Sequence, residues 1–125
     1  MDAGISEWII EHAADAMVCC DGAGTILRWN AAAVALFGFS REEALGASLD
    51  LIIPEHLRQA HWEGFRRALA SGSTRLSGRP TLTRALAKDS GRLYVQMSFA
   101  LVRDPAGSVV GSVAIARRAE RGAGD

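Results

Sequence analysis

His61 is the residue whose type and position could do chemistry in this chain. It lies in a stretch from Pro54 to Gly72 that predicts one amphipathic helix, because apolar residues recur there at intervals of three and four. The residues that share this apolar face with His61 are Leu57, Ala60, Gly64, Phe65, Ala68 and Leu69. Burying an unpartnered polar group costs about 1–3 kcal/mol. His61 is therefore either hydrogen-bonded within the core or available to bind a metal or ligand, since a neutral imidazole is a good ligand through one ring nitrogen.

No other set of residues has the spacing of a catalytic site. The sequence lacks a nucleophile elbow, a phosphate-binding glycine loop and a paired metal-ligand motif. Cys19 and Cys20 are adjacent, which excludes an ordinary disulfide between them and gives no metal-binding spacing. They are interpreted as small buried residues on a strand, and a redox role would need an exposed thiol of lowered pKa. We expect no catalysis.

Length and charge limit the classes of function. A chain of 125 residues has room for one core, so one domain is expected. Fourteen basic and fourteen acidic residues give no net charge, which disfavours nucleic-acid binding. No apolar run approaches the roughly 20 residues that a membrane span needs, and no signal peptide is evident. The sequence therefore predicts a cytoplasmic domain with neither nucleic-acid nor membrane partners.

The first part of the chain predicts a helix followed by a hairpin. The helix runs from Ile5 to about Ala16, with Trp8, Ile9 and Ala13 along one side. So short a helix is unstable alone and must pack on the domain's own sheet or on a second copy of the chain. Two short strands follow, at 17–20 and 26–29, on either side of a glycine turn.

The rest of the chain predicts short helices and then three more strands. Asn30 is a predicted helix N-cap with Gly38 closing that helix, and Ser40 and Glu43 have the spacing of a capping box. After the long helix, strands are predicted at 76–87, 93–102 and 109–116, separated by the hairpin turns "KDSG" and "DPAG". Strands joined by hairpins predict an α+β fold, an antiparallel sheet with its helices on one side.

These motifs together resemble a PAS domain. They are the "DG" turn, the Trp29-Asn30 step into a helix, "GFSREEALG", "IPEHLR" at the start of the long helix, and the two hairpin turns. The resemblance implies a five-stranded antiparallel sheet with helices on one face, with an N-terminal flanking helix at 1–16, the PAS domain at 17–118 and a linker towards an absent output domain beginning at 119–125. It implies a non-catalytic, dimerising sensory module of a bacterial kinase, cyclic-dinucleotide enzyme or transcription regulator, with any ligand between long helix and sheet.

Within that family, the long-helix segment is similar to that of haem-binding oxygen sensors. The resemblance puts His61 at the position of the axial iron ligand, and Arg67 and Arg75 near the haem propionates. Gly64 would leave space for the flat macrocycle. The residues expected to complete the apolar wall of the haem b site are Leu57, Phe65, Leu76, Met97 and Phe99.

The chain departs from the oxygen-sensor pattern on the distal side. Thr81 stands where those sensors have an arginine, Arg79 stands near a distal methionine position, and Arg84 follows a few residues later. Three alternatives to haem stay open: His61 as a satisfied core residue, another small ligand such as a metabolite or acyl chain, and no ligand. In the last case the domain would be a protein-interaction module dimerising through Trp8, Ile9 and Ala13 and the exposed sheet face. Flavin photochemistry is disfavoured, because both cysteines lie on the first strand.

Overall fold

One antiparallel sheet forms the frame on which the helices pack. The computed structural model describes residues 2–74, 78–89 and 91–120. Its strands are β1 (Ala16–Asp21), β2 (Ile26–Trp29), β3 (Thr81–Ala85), β4 (Leu93–Arg103) and β5 (Val109–Ala119), in the order β2-β1-β5-β4-β3. The helices are α1 (Asp2–His12), α2 (Ala31–Phe37), α3 (Arg41–Ala44) and α4 (Arg58–Ser71), with 3-10 turns at Leu49–Ile52 and Glu55–Leu57. The predicted α+β fold with a five-stranded antiparallel sheet is confirmed.

Alternation along the strands puts the core on one face of the sheet. On β4, Leu93, Val95 and Met97 are buried, whereas Gln96 between them is exposed. β5 lies between β4 and β1, so that Ala114 pairs with Phe99 on one side and with Val18 on the other. The helices cover this inner face, and the largest side chains sealed beneath them include Phe37 and Ile26.

Asn30 ties the N-terminal helix to the sheet. Its side chain is 1 % exposed and accepts hydrogen bonds from the backbone N–H groups of Met17 and Ala33. Its amide group donates to the backbone carbonyls of Ile10 and Asp15. The predicted N-cap is confirmed, and it also joins α1, β1 and α2. The predicted capping box of Ser40 and Glu43 is likewise present.

The boundaries of the first and fourth helices differ from the sequence prediction. α1 ends at His12 rather than Ala16, because Ala16 pairs with Ala116 as the first residue of β1. The long helix begins at Arg58 rather than Pro54. Its first predicted turn is instead a separate 3-10 turn, closed by the Leu57 N–H donating to the Pro54 carbonyl.

The strands also differ from the prediction at their ends. β3 is shorter than the predicted strand 76–87: Gly78 has a positive φ of 79°, and the Leu86 N–H leaves the sheet to donate to the Ile52 carbonyl. The predicted strand residues 76 and 77 lie outside the described residues. β5 is longer than predicted, since the ladder continues to Ala119 opposite Tyr94.

Two ion pairs hold α1 against the body of the domain. Glu7 pairs with Arg28 on β2, and Glu11 pairs with Arg41 on α3. Within the described part of the chain, no helix has both the length and the apolar character that crossing a membrane would require.

Candidate functional site

A cavity of about 380 Å³ lies between α4 and the inner face of the sheet. From the helix side it is lined by Leu57, Ala60, His61, Gly64, Phe65 and Ala68. The other side is formed by residues of the sheet and of the segment that leads into β3: Thr74, Gly78, Arg79, Thr81, Thr83, Phe99, Leu101 and Ser112. Pockets for small ligands in proteins span about 300–1,000 Å³, so this cavity has the size of a ligand site.

α4 forms this cavity because its apolar face has little to pack against. None of the helix's residues is fully buried, although Phe65 and Ala68 are partly covered. A helix with an apolar stripe normally fills that face with core side chains. Here the stripe lies across an open volume, which leaves its apolar surface available to a guest molecule.

His61 lines this cavity, and one of its ring nitrogens is unsatisfied among the described residues. Its Nδ1 atom is buried and has no hydrogen-bond partner among the described residues. Burial lowers the pKa of His61, and the negative charge of Asp50 only partly opposes this effect. The ring is therefore neutral at pH 7. Since buried polar atoms are almost always paired in native proteins, an unpaired one beside a cavity points to a ligand.

Aromatic rings surround His61. The centroid of its ring lies 4.7 Å from that of Trp62, 6.0 Å from that of Phe65 and 6.5 Å from that of Phe99. The neighbours of the imidazole are thus mainly flat, apolar rings, with few charged groups among them. A neutral nitrogen donor in such surroundings suits a planar, apolar ligand.

Trp62 fastens this part of α4 to the rest of the domain. Its Nε1–H donates to the carboxylate of Asp50, a residue of the 3-10 turn at 49–52, at 2.8 Å. The tip of its ring lies on Gly24 in the β1–β2 turn, where an added Cβ would come within 2.2 Å of the ring. The Arg58 guanidinium reinforces the attachment by donating to the carbonyls of Ile53 and Asp50.

The structure brings some, but not all, of the sequence-predicted site residues together. Leu57, Gly64, Phe65 and Phe99 line the cavity with His61. Met97 is buried in the neighbouring core and is not part of the lining.

The predicted basic residues are placed differently. Arg67 is exposed and does not line the cavity, because six helical residues after His61 the side chain points well away from it. Arg75 and Leu76 lie outside the described residues.

Several lining residues were not predicted as site residues. Arg79 and Thr81, which depart from the oxygen-sensor pattern on the distal side, both line the cavity, whereas Arg84 does not. Leu101 could have been predicted as a lining residue, because it lies two residues after Phe99 on β4 and therefore on the same face of the strand. Ser112 could not have been predicted as a lining residue. It reaches the cavity because β5 pairs with β4 and β1, which places Ser112 opposite Leu101 and Cys20 through long-range contacts.

The cysteines do not form a reactive site. The Cys20 thiol is buried and lies 3.2 Å from the Ser112 hydroxyl, and burial raises the pKa of both Cys19 and Cys20. Both thiols therefore stay protonated at neutral pH, which favours the predicted strand-packing role. Across residues 2–74, 78–89 and 91–120 no group of three or more side chains is placed to hold a bare metal ion.

A second surface lies around the N-terminal helix. Trp8 and Ile9 are 62 % and 64 % exposed, and Ala13, just beyond the end of α1, is partly exposed. Trp8 also borders a cleft between α1 and β2, where Leu27 and Leu45 are exposed as well. Apolar surface is thus concentrated at this end of the molecule.

A comparison with family models matches residues 7–119 to the PAS fold. Among solved structures, the PAS domain of a protein from Colwellia psychrerythraea superimposes with a TM-score of 0.80 at 19 % identity, covering 95 % of this chain and 98 % of that one. The likeness to this structure concerns the fold alone.

Two curated proteins are similar in sequence. An uncharacterised protein of Azorhizobium caulinodans is 37 % identical over 82 residues, which cover 65 % of this chain and 11 % of the relative. The oxygen sensor protein DosP of Escherichia coli is 33 % identical over 77 residues, covering 62 % of this chain and 10 % of DosP. The matches thus span about a tenth of the length of either relative.

Proposed function

The chain belongs to the PAS family, and we propose that it is a sensory domain that binds haem through His61 and responds to a diatomic gas. PAS domains are generally non-catalytic sensory modules of signalling proteins. The observation that carries the proposal is the neutral imidazole that lines a cavity of ligand size and whose buried Nδ1 has no partner among the described residues. The similarity to a protein named an oxygen sensor supports it.

The residues of the cavity fit such a group. His61 would hold the iron through a ring nitrogen, with Gly64 leaving room beside it and Phe65, Phe99 and Leu101 providing apolar contact. Haem, when bound, would supply an iron that binds a diatomic gas.

Signalling requires two conformations that the ligand binds unequally. We propose that the change is carried by α4, because this helix supplies the proposed ligand residue and is fastened to the domain largely by Trp62 and Arg58. The signal would pass to the output domain of a bacterial kinase, cyclic-dinucleotide enzyme or transcription regulator. The cytoplasmic location stays a prediction of the sequence.

Titration of the purified domain with hemin tests the role of His61. We expect wild-type protein to develop the intense absorption band of histidine-ligated haem at one equivalent, and His61→Ala to lose it. His56→Ala is the matched control, because His56 is exposed in the turn just before α4 and does not line the cavity. An unchanged band in His61→Ala would exclude His61 as the ligand.

A second candidate function is supported by the exposed residues of α1. In this alternative the domain binds no cofactor and forms a homodimer through Trp8, Ile9 and Ala13, with the outer sheet face contributing. Large aromatic residues such as Trp8 commonly dominate protein interfaces, and PAS domains commonly dimerise.

The oligomeric state tests this interface. We expect Trp8→Glu with Ile9→Glu to convert a dimer into a monomer in sedimentation experiments, because charge would enter an apolar contact. Ser6→Glu is the control on an exposed position of the same helix. A dimer that survives the double substitution would show that α1 is not the contact.

A further inference from the structure

The described lining of the cavity carries charge of one sign. Arg79 is the cationic residue among its described lining residues, and that lining contains no aspartate or glutamate. His61 contributes no charge at neutral pH, because burial lowers its pKa. Asp50 is the acidic residue whose field reaches His61, but it does not line the cavity and accepts the hydrogen bond of Trp62.

Arg79 lies at the opening of the cavity. The residue lines the volume and is also exposed to solvent, so it occupies the border between the two. Farther in, the walls combine the apolar side chains of Leu57, Phe65, Phe99 and Leu101, all of them only partly exposed, with the hydroxyl-bearing residues Thr83 and Ser112. The cavity therefore has a cationic residue at its edge and a mostly apolar interior.

We propose that the cavity binds an apolar ligand that carries a carboxylate, and that Arg79 binds this carboxylate at the opening. The proposal rests on the proposed function, since it names the chemistry of the ligand in the same cavity. A guanidinium binds a carboxylate through paired, charge-assisted hydrogen bonds, which gives specificity for the planar group. The apolar part of the ligand gains binding energy from burial between α4 and the sheet. A cationic ligand would find no acidic partner in the described lining.

This chemistry has two sources, a porphyrin with propionate side chains and a free aliphatic or aromatic acid. In either case Arg79 is a residue that determines specificity. In the haem case, Arg79 would bind a propionate, the role that the family resemblance assigns to Arg67, whose side chain does not line the cavity.

Binding of three matched probes, octanoate, octanol and octylamine, tests the inference on the intact chain. Tryptophan fluorescence is the measurement, because the Trp62 ring contacts both His61 and Phe65. We expect octanoate to bind, octylamine to bind more weakly, and the preference for octanoate over octanol to fall about fivefold to tenfold in Arg79→Gln. Arg66→Gln is the control: it removes the same charge from an exposed position of α4 outside the cavity and should keep the preference.

The inference is overturned if octanoate does not bind, or if its preference over octanol is the same in Arg79→Gln as in wild type. Either result leaves the proposed function standing as long as hemin binding depends on His61. Competition with hemin identifies the source. If hemin displaces octanoate, and Arg79→Gln weakens hemin more than hemin dimethyl ester, the carboxylate belongs to the porphyrin. If octanoate binding depends on Arg79 and hemin does not displace octanoate, the ligand is a free acid. In that case the inference holds and the haem proposal fails.

Discussion

At the scale of the residue, His61 couples stability to pH. Burial lowers its pKa below the ordinary value of 6.5 in the folded protein, so between the two values the unfolded chain binds more protons than the folded one. Stability is therefore complete above about pH 6.5 and falls as the pH is lowered through the depressed pKa. Asp50, whose negative charge opposes the shift, is the charged group that bears on this titration.

His61→Leu is expected to remove this pH dependence. It also deletes an unpaired buried nitrogen, so we expect the free energy of unfolding at pH 7.5 to change little or to rise by up to about 1 kcal/mol. Urea unfolding between pH 7.5 and 5 measures both effects. His56→Gln should keep the wild-type dependence in this range, and a variant His61→Leu that keeps it too would contradict the account.

The helical period predicted the residues that share a face with His61, and Leu57, Gly64 and Phe65 do line one cavity with it. The same period puts Arg67 away from the face of His61, and its assignment near the propionates rests on the family resemblance rather than on its position on the helix. Only the family resemblance put Arg79 near a ligand, because it follows Gly78, whose positive φ redirects the chain just before β3. Local pattern predicts the faces of regular elements and not the path of the segments between them.

At the scale of the element, the attachment of α4 depends on Gly24 and Trp62. Gly24→Ala would combine the strain of a positive φ of 81° with a collision between Cβ and the Trp62 ring. We expect it to lower the free energy of unfolding by about 2–4 kcal/mol. Gly46→Ala is a matched control, because Gly46 has a φ of 85° but nothing within 4 Å of an added Cβ, and it should cost about 1–2 kcal/mol.

Chemical denaturation separates the cost of the positive φ from the cost of the collision between Cβ and the Trp62 ring. In a Trp62→Leu background the additional cost of Gly24→Ala over Gly46→Ala should disappear, because the ring that causes the collision is gone. Equal costs for the two glycine variants in the wild-type background would show that Trp62 does not fasten α4 to the β1–β2 turn.

Element types were easier to predict from the sequence than element ends. Asn30, Ser40 and Glu43 carry specific cap chemistry, so the helices that they begin were predicted correctly. α4 has no side-chain cap at its start. The residues just before it, which form a separate 3-10 turn, were therefore predicted as part of the helix. β5 extends to Ala119 because it pairs with β4, which is a tertiary cause that local sequence does not record.

At the scale of the whole molecule, the chain order of hairpins predicted an antiparallel α+β fold but not the strand order. The β2-β1-β5-β4-β3 sheet requires Ala16 to pair with Ala116, a contact between distant parts of the chain. The cavity is a consequence of this order, because β5 in the middle of the sheet places Ser112 next to Leu101 and below α4. The helical pattern pointed to His61 as a possible ligand residue, and the family resemblance put the ligand between the long helix and the sheet.

The whole account depends on the imidazole at position 61, and chemical rescue of its removal is the most direct test. Hemin would be added to His61→Gly, and its absorption spectrum recorded before and after imidazole is supplied in solution. We predict that the wild-type spectrum is lost in the variant and returns with imidazole, which would occupy the space left beside Phe65 and Phe99. A wild-type spectrum in His61→Gly without imidazole would contradict the central claim.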